Sequence, residues 1–174
     1  MTMRGSVSIK DRIFAILPYA YPMVMVEAAG LGIFLIAQFP GIALLLLPLA
    51  PFAFVYGLLG MVAGRYASMI IFFALYVLVV RNDKINGFIR FNTMQALLIG
   101  IVAALVRILF SLLGLSTDGL LSINSPFTLL TSTIFSMIFI GVMASSIYSI
   151  VFAVRGRYGE IPVVSEAAYS QVRY

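Results

Sequence analysis

The 174-residue chain is 63% hydrophobic and 10% charged, with a mean hydropathy of +1.12. Soluble domains are nearer half apolar and a quarter charged, so the composition excludes a water-soluble globular protein and indicates an integral membrane protein. The absence of cysteine and histidine excludes disulfides, thiol nucleophiles, Cys/His zinc sites and imidazole acid–base catalysis.

Nine of the eleven basic residues form three clusters, which predict the membrane topology. They are Arg4, Lys10 and Arg12, then Arg81, Lys84 and Arg90, then Arg155, Arg157 and Arg173. Short loops rich in Lys and Arg stay on the cytoplasmic side, so an even number of crossings separates neighbouring clusters. At ~20 residues per span, the chain holds about four helices. We therefore predict an all-α, polytopic four-helix transmembrane bundle with both termini on the cytoplasmic or stromal side.

The first crossing is the least regular part of the predicted bundle. After a cytoplasmic arm, residues 1–12, we expect a helix over residues 13–39 and then a proline-broken, partly re-entrant or interfacial stretch over residues 40–64. Proline inside a helix removes a hydrogen bond and kinks it. The prolines concerned are Pro18, Pro22, Pro40, Pro48 and Pro51. The alternative is a tilted helix near Ile42–Gly64, preceded by an interfacial helix.

Three further helices complete the predicted membrane domain, residues 13–154. They cover residues 65–80, 91–114 and 130–154, and the first of them ends at a charged turn. The apolar segment between the last two contains glycine and an Asn-Ser-Pro break, which predicts an outer loop. Residues 155–174 form a cytoplasmic tail, either docked on the inner surface or solvated.

A basic and polar run, Arg90-Phe91-Asn92-Thr93-Met94-Gln95, leads directly into the third predicted helix. Asn and Gln in the first turns of a membrane helix are costly unless other groups satisfy them. We therefore expect Asn92 and Gln95 to form hydrogen bonds within the bundle. Together with Arg90 and Phe91, they are candidate contact residues of a helix that packs against a partner.

Two ionisable residues lie within the predicted spans. Glu27 is about 21 Å beyond residue 13, and Arg107 is about 26 Å beyond Arg90, at 1.5 Å per residue. The similar depths let the two side chains pair between the first and third helices. The alternative places Glu27 in an outer loop and extends the Arg107 side chain to the lipid headgroups.

Small residues recur at four-residue spacing on the third and fourth predicted helices. Gly100 lies between Ala96 and Ala104, and Gly141 precedes Ser145. Such faces let helix backbones approach closely. The first interpretation is packing within this bundle, and the second is docking to another membrane protein or a second copy.

Short motifs spread over nearly the whole chain resemble one known family. The most specific is Arg90-Phe-Asn-Thr-Met-Gln95, and others are Leu17-Pro-Tyr19, Leu46-Leu-Pro-Leu-Ala-Pro51 and Glu160-Ile-Pro162. The chain resembles the Tic-twenty family, the twenty-kilodalton membrane subunit of the translocon at the inner chloroplast envelope, in its cyanobacterial or plastid-encoded form. This resemblance implies four membrane helices with both ends on the stromal or cytoplasmic side.

The resemblance implies a non-enzymatic subunit of a protein-translocation machinery, in a cyanobacterial plasma or thylakoid membrane or the plastid inner envelope. The implied partners are other membrane subunits, the lipid bilayer and a polypeptide in transit, contacted through residues 40–64. The alternative is a small accessory or assembly subunit at the edge of a larger, photosynthetic complex. A channel ranks third, because scattered Ser, Thr and Asn supply no continuous polar lining. We expect no nucleic acid, no metal and no cofactor other than a bound lipid or pigment.

Overall fold

The computed structural model describes residues 7–113 and 128–172, and all regular structure in these ranges is helical. The α-helices in this part of the chain are α1 (Ile9–Ile16), α2 (Ala20–Ala28), α3 (Ile33–Gln38), α4 (Gly41–Leu46), α5 (Ala50–Ala63), α6 (Ala67–Leu75), α7 (Gly87–Leu112), α8 (Thr128–Val154) and α9 (Val164–Gln171). The outer loop predicted before the last membrane helix falls largely outside the described residues. Three helical stretches are long and apolar enough to cross a membrane: Gly41–Val80, α7 and Leu129–Val154.

The segment predicted as one helix over residues 13–39 is divided into two parts. Helices α1 and α2 are joined by a 3₁₀ turn, Leu17–Tyr19, and together run to Ala28. There the amide of Gly30 bonds to the carbonyl of Glu27, and that of Leu31 to the carbonyl of Val26. With Gly30 at φ +71°, this is a Schellman helix end, in which glycine adopts the left-handed conformation without strain.

The proline-rich stretch continues the chain as a bent helical segment, Gly41–Val80. Pro51 occupies the first turn of α5, where a proline removes no helical hydrogen bond. Phe52 and Val79 would lie about 40 Å apart in a straight helix, yet they line the same cavity. The segment therefore folds back on itself. We place the reversal at Gly64, whose φ of +57° breaks the helix.

Helix α7 is the centre of the described bundle. Its first half, from Phe88 to Gly100, is buried around nearly its whole circumference, a distribution typical of a central helix. It packs against α1, α2, α8 and α9. By contrast, only 6% of the most apolar 18-residue stretch of Gly41–Val80 is buried, whereas 33% of the corresponding stretch of α7 is buried. The proline-rich segment therefore lies at the periphery.

The C-terminal tail packs on the bundle. Helix α9 lies against α7, and Ala168 and Val172 are completely or almost completely buried there. The ring of Tyr169 lies 4.5 Å from that of Phe91 between centroids. Residues 164–172 of the tail therefore pack on the chain's own α7. The cytoplasmic placement of residues 155–174 stays a prediction.

Candidate functional site: a buried polar cluster between α7 and the tail

A buried polar cluster joins three distant parts of the chain. It consists of Tyr19, from the turn between α1 and α2, Asn92 and Gln95, from α7, and Ser165, from α9. The Tyr19 hydroxyl lies 2.8 Å from Gln95 Oε1 and 3.0 Å from Asn92 Oδ1. Tyr19, Asn92 and Gln95 are fully buried. A hydrogen bond in such a low-dielectric setting is electrostatically stronger than in water.

Backbone carbonyls fix the orientation of both amides. Asn92 Nδ2 donates to the carbonyl of Phe88 at 2.8 Å, one turn earlier on α7. Gln95 Nε2 donates to the carbonyl of Gly159 at 2.6 Å and to Ser165 Oγ at 3.3 Å. Because the nitrogens face carbonyls, both amide oxygens face Tyr19. The prediction that the two amides bond within the bundle is confirmed.

Ser165 completes the cluster from the tail side. Its hydroxyl oxygen accepts a hydrogen bond from the backbone amide of Ile161 at 2.7 Å, which closes the turn that leads into α9. Gln95 therefore holds both ends of this turn, at Gly159 and at Ser165. The cluster acts as a latch that fixes the tail to the centre of the bundle.

Arg90 and Phe91 make contacts within the chain on either side of the cluster. Arg90 is buried, and its Nε donates to the carbonyl of Val80 at 2.8 Å. Its guanidinium also lies 3.1 Å from Asp83. These bonds tie the start of α7 to the end of the preceding helical segment. Phe91 packs edge-on against Tyr158, with centroids 4.9 Å apart.

The proposed ion pair between Glu27 and Arg107 is not formed. Within the described residues the single salt bridge is the one between Arg90 and Asp83. The sequence matched Glu27 and Arg107 by their depth along the helices, but their angular positions around α2 and α7 do not bring them together. Gly100 marks the face of α7 that contacts α2, and Arg107 lies two turns further on the same face. Glu27 lies about 120° around α2 from Tyr21, the residue that contacts Gly100.

The two ends of the failed pair have different surroundings. Glu27 lies in the last turn of α2, and its Oε2 is buried without a hydrogen-bond partner in the described chain. Arg107 is exposed and lines a cavity of about 180 Å³ together with Tyr56 and Ser68. Glu27 is therefore neither in a loop, as the alternative held, nor in contact with its proposed partner.

The two small-residue faces have different environments. A Cβ added at Gly100 would lie 2.8 Å from the Tyr21 ring, so this face packs within the bundle. At Gly141 no atom lies within 4 Å of such a Cβ. Ser145 is half-buried, and its hydroxyl donates to the carbonyl of Gly141 at 2.6 Å. Both line a groove of about 240 Å³ between α7 and α8, so this face is open in the described chain.

The sequence analysis did not identify Tyr19, Gly159 and Ser165 as members of a site. Two of them lie at motifs noted earlier, since Tyr19 ends the Leu-Pro-Tyr motif and Gly159 directly precedes the Glu-Ile-Pro motif. No periodicity connects positions so far apart in sequence. What the sequence did indicate is that the side-chain amides of Asn92 and Gln95 need hydrogen-bond partners from elsewhere in the chain.

Comparison with known proteins identifies the family. A family model described as "Chloroplast import apparatus Tic20-like" matches residues 10–168. A "Tic20 family protein" of Synechocystis sp. is 42% identical over 165 residues, which cover 95% of this chain and 94% of that protein. "Protein TIC 20-II, chloroplastic" of Arabidopsis thaliana is 30% identical over 162 residues, covering 93% and 72%. "Tic20 family protein Ycf60" of Porphyra purpurea is 28% identical over 179 residues, covering 98% and 80%.

The match extends from α1 to α9, and so includes every member of the polar cluster. The resemblance read from the Arg90–Gln95 run is confirmed. This chain belongs to the Tic20 family.

Proposed function

We propose that this chain is a non-enzymatic integral membrane subunit of a protein-translocation machinery. The proposal rests on membership of a family described as part of a chloroplast import apparatus, and on the matched range of residues 10–168. The structural observation that carries it is the exposed, apolar segment Gly41–Val80. Only 6% of its most apolar 18-residue stretch is buried, so this segment offers a long lateral surface to neighbouring subunits.

We propose four membrane crossings, with both termini and the loop at residues 81–86 on the cytoplasmic or stromal side. Two contacts support this arrangement. Asn86 Nδ2 donates to Asp11 Oδ2 at 3.1 Å, and an Arg12 guanidinium nitrogen donates to the carbonyl of Val154 at 3.4 Å. These contacts bring the start of α1, the central loop and the end of α8 to one end of the bundle. All three carry basic residues, as cytoplasmic segments do.

A single copy supplies part of a polypeptide path and not a whole channel. A cavity of about 670 Å³ in the described chain is lined almost entirely by apolar side chains. A polypeptide that moves through a membrane needs polar lining groups or water to form hydrogen bonds with its backbone. The path is therefore completed by other subunits against Gly41–Val80, which includes all but the first of the residues 40–64 predicted to contact a polypeptide in transit.

The second candidate function is an accessory or assembly subunit of a larger membrane complex. The open face at Gly141 and Ser145 favours it, because small residues let another helix approach closely. The two functions differ in what touches Gly41–Val80. A translocon subunit contacts a moving chain there, and an accessory subunit contacts a fixed neighbour or lipid.

Site-specific photo-crosslinking in native membranes separates the two functions. A photoreactive amino acid at Val62, which is 89% exposed on α5, is compared with one at Leu105, which is 60% exposed on α7. An exported protein arrested in transit should crosslink to position 62 and not to position 105. A fixed partner at position 62, together with no crosslink to the arrested chain, would support the accessory function instead.

Cysteine labelling tests the topology, since the native chain contains no cysteine. Lys84→Cys and Ser170→Cys place single thiols at exposed positions of the central loop and of α9. A membrane-impermeant maleimide should label both from the cytoplasmic or stromal side. Labelling of either position from the opposite side would refute the four-crossing arrangement.

A further inference from the structure

A large apolar cavity lies between α1, α2, α5, α6 and the start of α7. Its volume is about 670 Å³, within the range of roughly 300–1,000 Å³ that small-molecule sites occupy. The lining includes Phe14, Leu17, Val55, Val79 and Ile89. Packed protein interiors contain few voids larger than a water molecule. We therefore expect a bound molecule to fill a space of this size.

The almost entirely apolar lining offers water few hydrogen-bond partners. The hydroxyl of Thr93 donates to the carbonyl of Ile89 at 2.8 Å, and that of Tyr21 to the carbonyl of Ser68 at 3.3 Å. The polar groups of these two lining residues are therefore already used. Apolar cavities without polar partners stay dry and accept apolar molecules. The cavity fits a hydrocarbon.

The cavity is open at its side. Phe14, Leu17 and Val55 line it and are still 57%, 41% and 54% exposed. A molecule can enter between α1 and α5 from the surrounding membrane without separating the core helices. The occupant is therefore drawn from the apolar molecules of the bilayer itself.

Three basic residues lie close in sequence to residues that line the cavity. Lys10 lies one turn before Phe14 on the same face of α1, Arg81 follows the π-helical turn that carries Val79, and Lys84 directly precedes Ile85, a lining residue. In the described chain the one salt bridge uses Asp83 and Arg90. None of these three cations is thus neutralised by a salt bridge to a described residue, and together they attract an anion at the membrane surface.

We propose that this cavity is a binding site for an anionic membrane glycerolipid. An acyl chain lies in the apolar cavity, and the phosphate or sulfate headgroup binds Lys10, Arg81 and Lys84. The lipid fills the space between α1–α2 and the folded-back α5–α6 segment. This proposal does not depend on the proposed role in translocation, because it concerns the described chain alone.

Photolabelling of the unmodified protein is the first test. The protein is reconstituted in vesicles of phosphatidylcholine and phosphatidylglycerol, and the phosphatidylglycerol carries a diazirine on one acyl chain. After irradiation, mass spectrometry of peptides should find label concentrated on the segments of Phe14, Val79 and Ile89. Label spread evenly over exposed positions such as Val62 would overturn the proposal, because it would indicate only surrounding bulk lipid.

Two valines on one helical turn supply a matched pair of variants. Val79 lines the cavity, and Val77 is 55% exposed and does not. Val79→Phe should lower the lipid retained after detergent purification, as measured by native mass spectrometry, and Val77→Phe should not. Circular dichroism checks that both variants fold. Equal lipid retention in two folded variants would contradict the proposal.

The headgroup site is tested by charge removal. The double variant Arg81→Gln/Lys84→Gln should weaken the preference for phosphatidylglycerol over phosphatidylcholine by roughly fivefold for each charge removed. Arg107→Gln removes an exposed charge of α7 far from the cavity mouth and is the control. An unchanged lipid preference in the double variant would reject the basic cluster as the headgroup site.

Discussion

Replacing Gln95 with leucine keeps the approximate size of the side chain and removes the latch between α7 and the tail. Three hydrogen bonds are lost, to Tyr19, Ser165 and the carbonyl of Gly159. Loss of the first two costs about 1 kcal/mol at ~0.6 kcal/mol per side-chain bond in a membrane bundle. The Gly159 carbonyl is left buried without its partner, which costs about 1–3 kcal/mol more.

The sum, about 2–4 kcal/mol, should appear mainly as release of α9, since two of the three bonds hold the tail. An energy of that size raises the open population of the tail more than tenfold. Tyr19→Phe should cost about 1–3 kcal/mol of stability, because the buried oxygens of Asn92 and Gln95 lose their donor. It should release α9 less than Gln95→Leu does, because the bond from Gln95 to Gly159 persists. The two variants together separate the tail contacts from the α1–α2 contact.

Hydrogen exchange measures the tail directly. Amides of residues 164–171 should exchange more than tenfold faster in Gln95→Leu than in the native protein, when opening is local. Gln38→Leu, at an exposed position of α3, makes the same chemical change away from the cluster and should leave the exchange of α9 unchanged. If α9 exchanged equally in both variants, the reasoning that Gln95 holds the tail would fail.

Gly100→Ala should destabilise the protein by about 1–3 kcal/mol, because the new Cβ would lie 2.8 Å from the Tyr21 ring. Gly141→Ala meets no atom within 4 Å and should be neutral or stabilising, so equal melting temperatures of the two variants in detergent would contradict the assigned packing. Arg90→Met removes a buried donor from the Val80 carbonyl and should cost about 1–3 kcal/mol. Asp83→Asn, at the 88% exposed end of the same salt bridge, should change unfolding by less than about 0.5 kcal/mol, and a larger loss there than at position 90 would refute this division.

The extent of the long helices was largely predictable from apolar length. Helix α8 spans Thr128–Val154, where the sequence predicted residues 130–154. Helix α7 begins at Gly87, four residues before the predicted start. Asn86 caps it by accepting a hydrogen bond from the amide of Phe88. Arg90 belongs to the central basic cluster in the sequence, but it lies buried inside the helix.

Other features depend on tertiary geometry that a linear pattern does not contain. The depth of Glu27 could be read from the sequence, but its direction around α2 follows from how Tyr21 packs on Gly100. The fold-back of Gly41–Val80 depends on a single left-handed glycine, Gly64, among several candidate breakers. The cost of burying Asn92 and Gln95 predicted that partners exist, but not that they come from the tail.

The latch also sets an order of events during biosynthesis. Gly159 follows Gln95 by 64 residues, so at ~5–20 residues per second its carbonyl emerges from the ribosome roughly 3–13 s later. During that interval the Gln95 carboxamide lacks its acceptors in the tail, and exposing it to lipid is costly. A chain that ends before Gly159 therefore leaves the amide nitrogen of Gln95 without the acceptors that the C-terminal turn supplies.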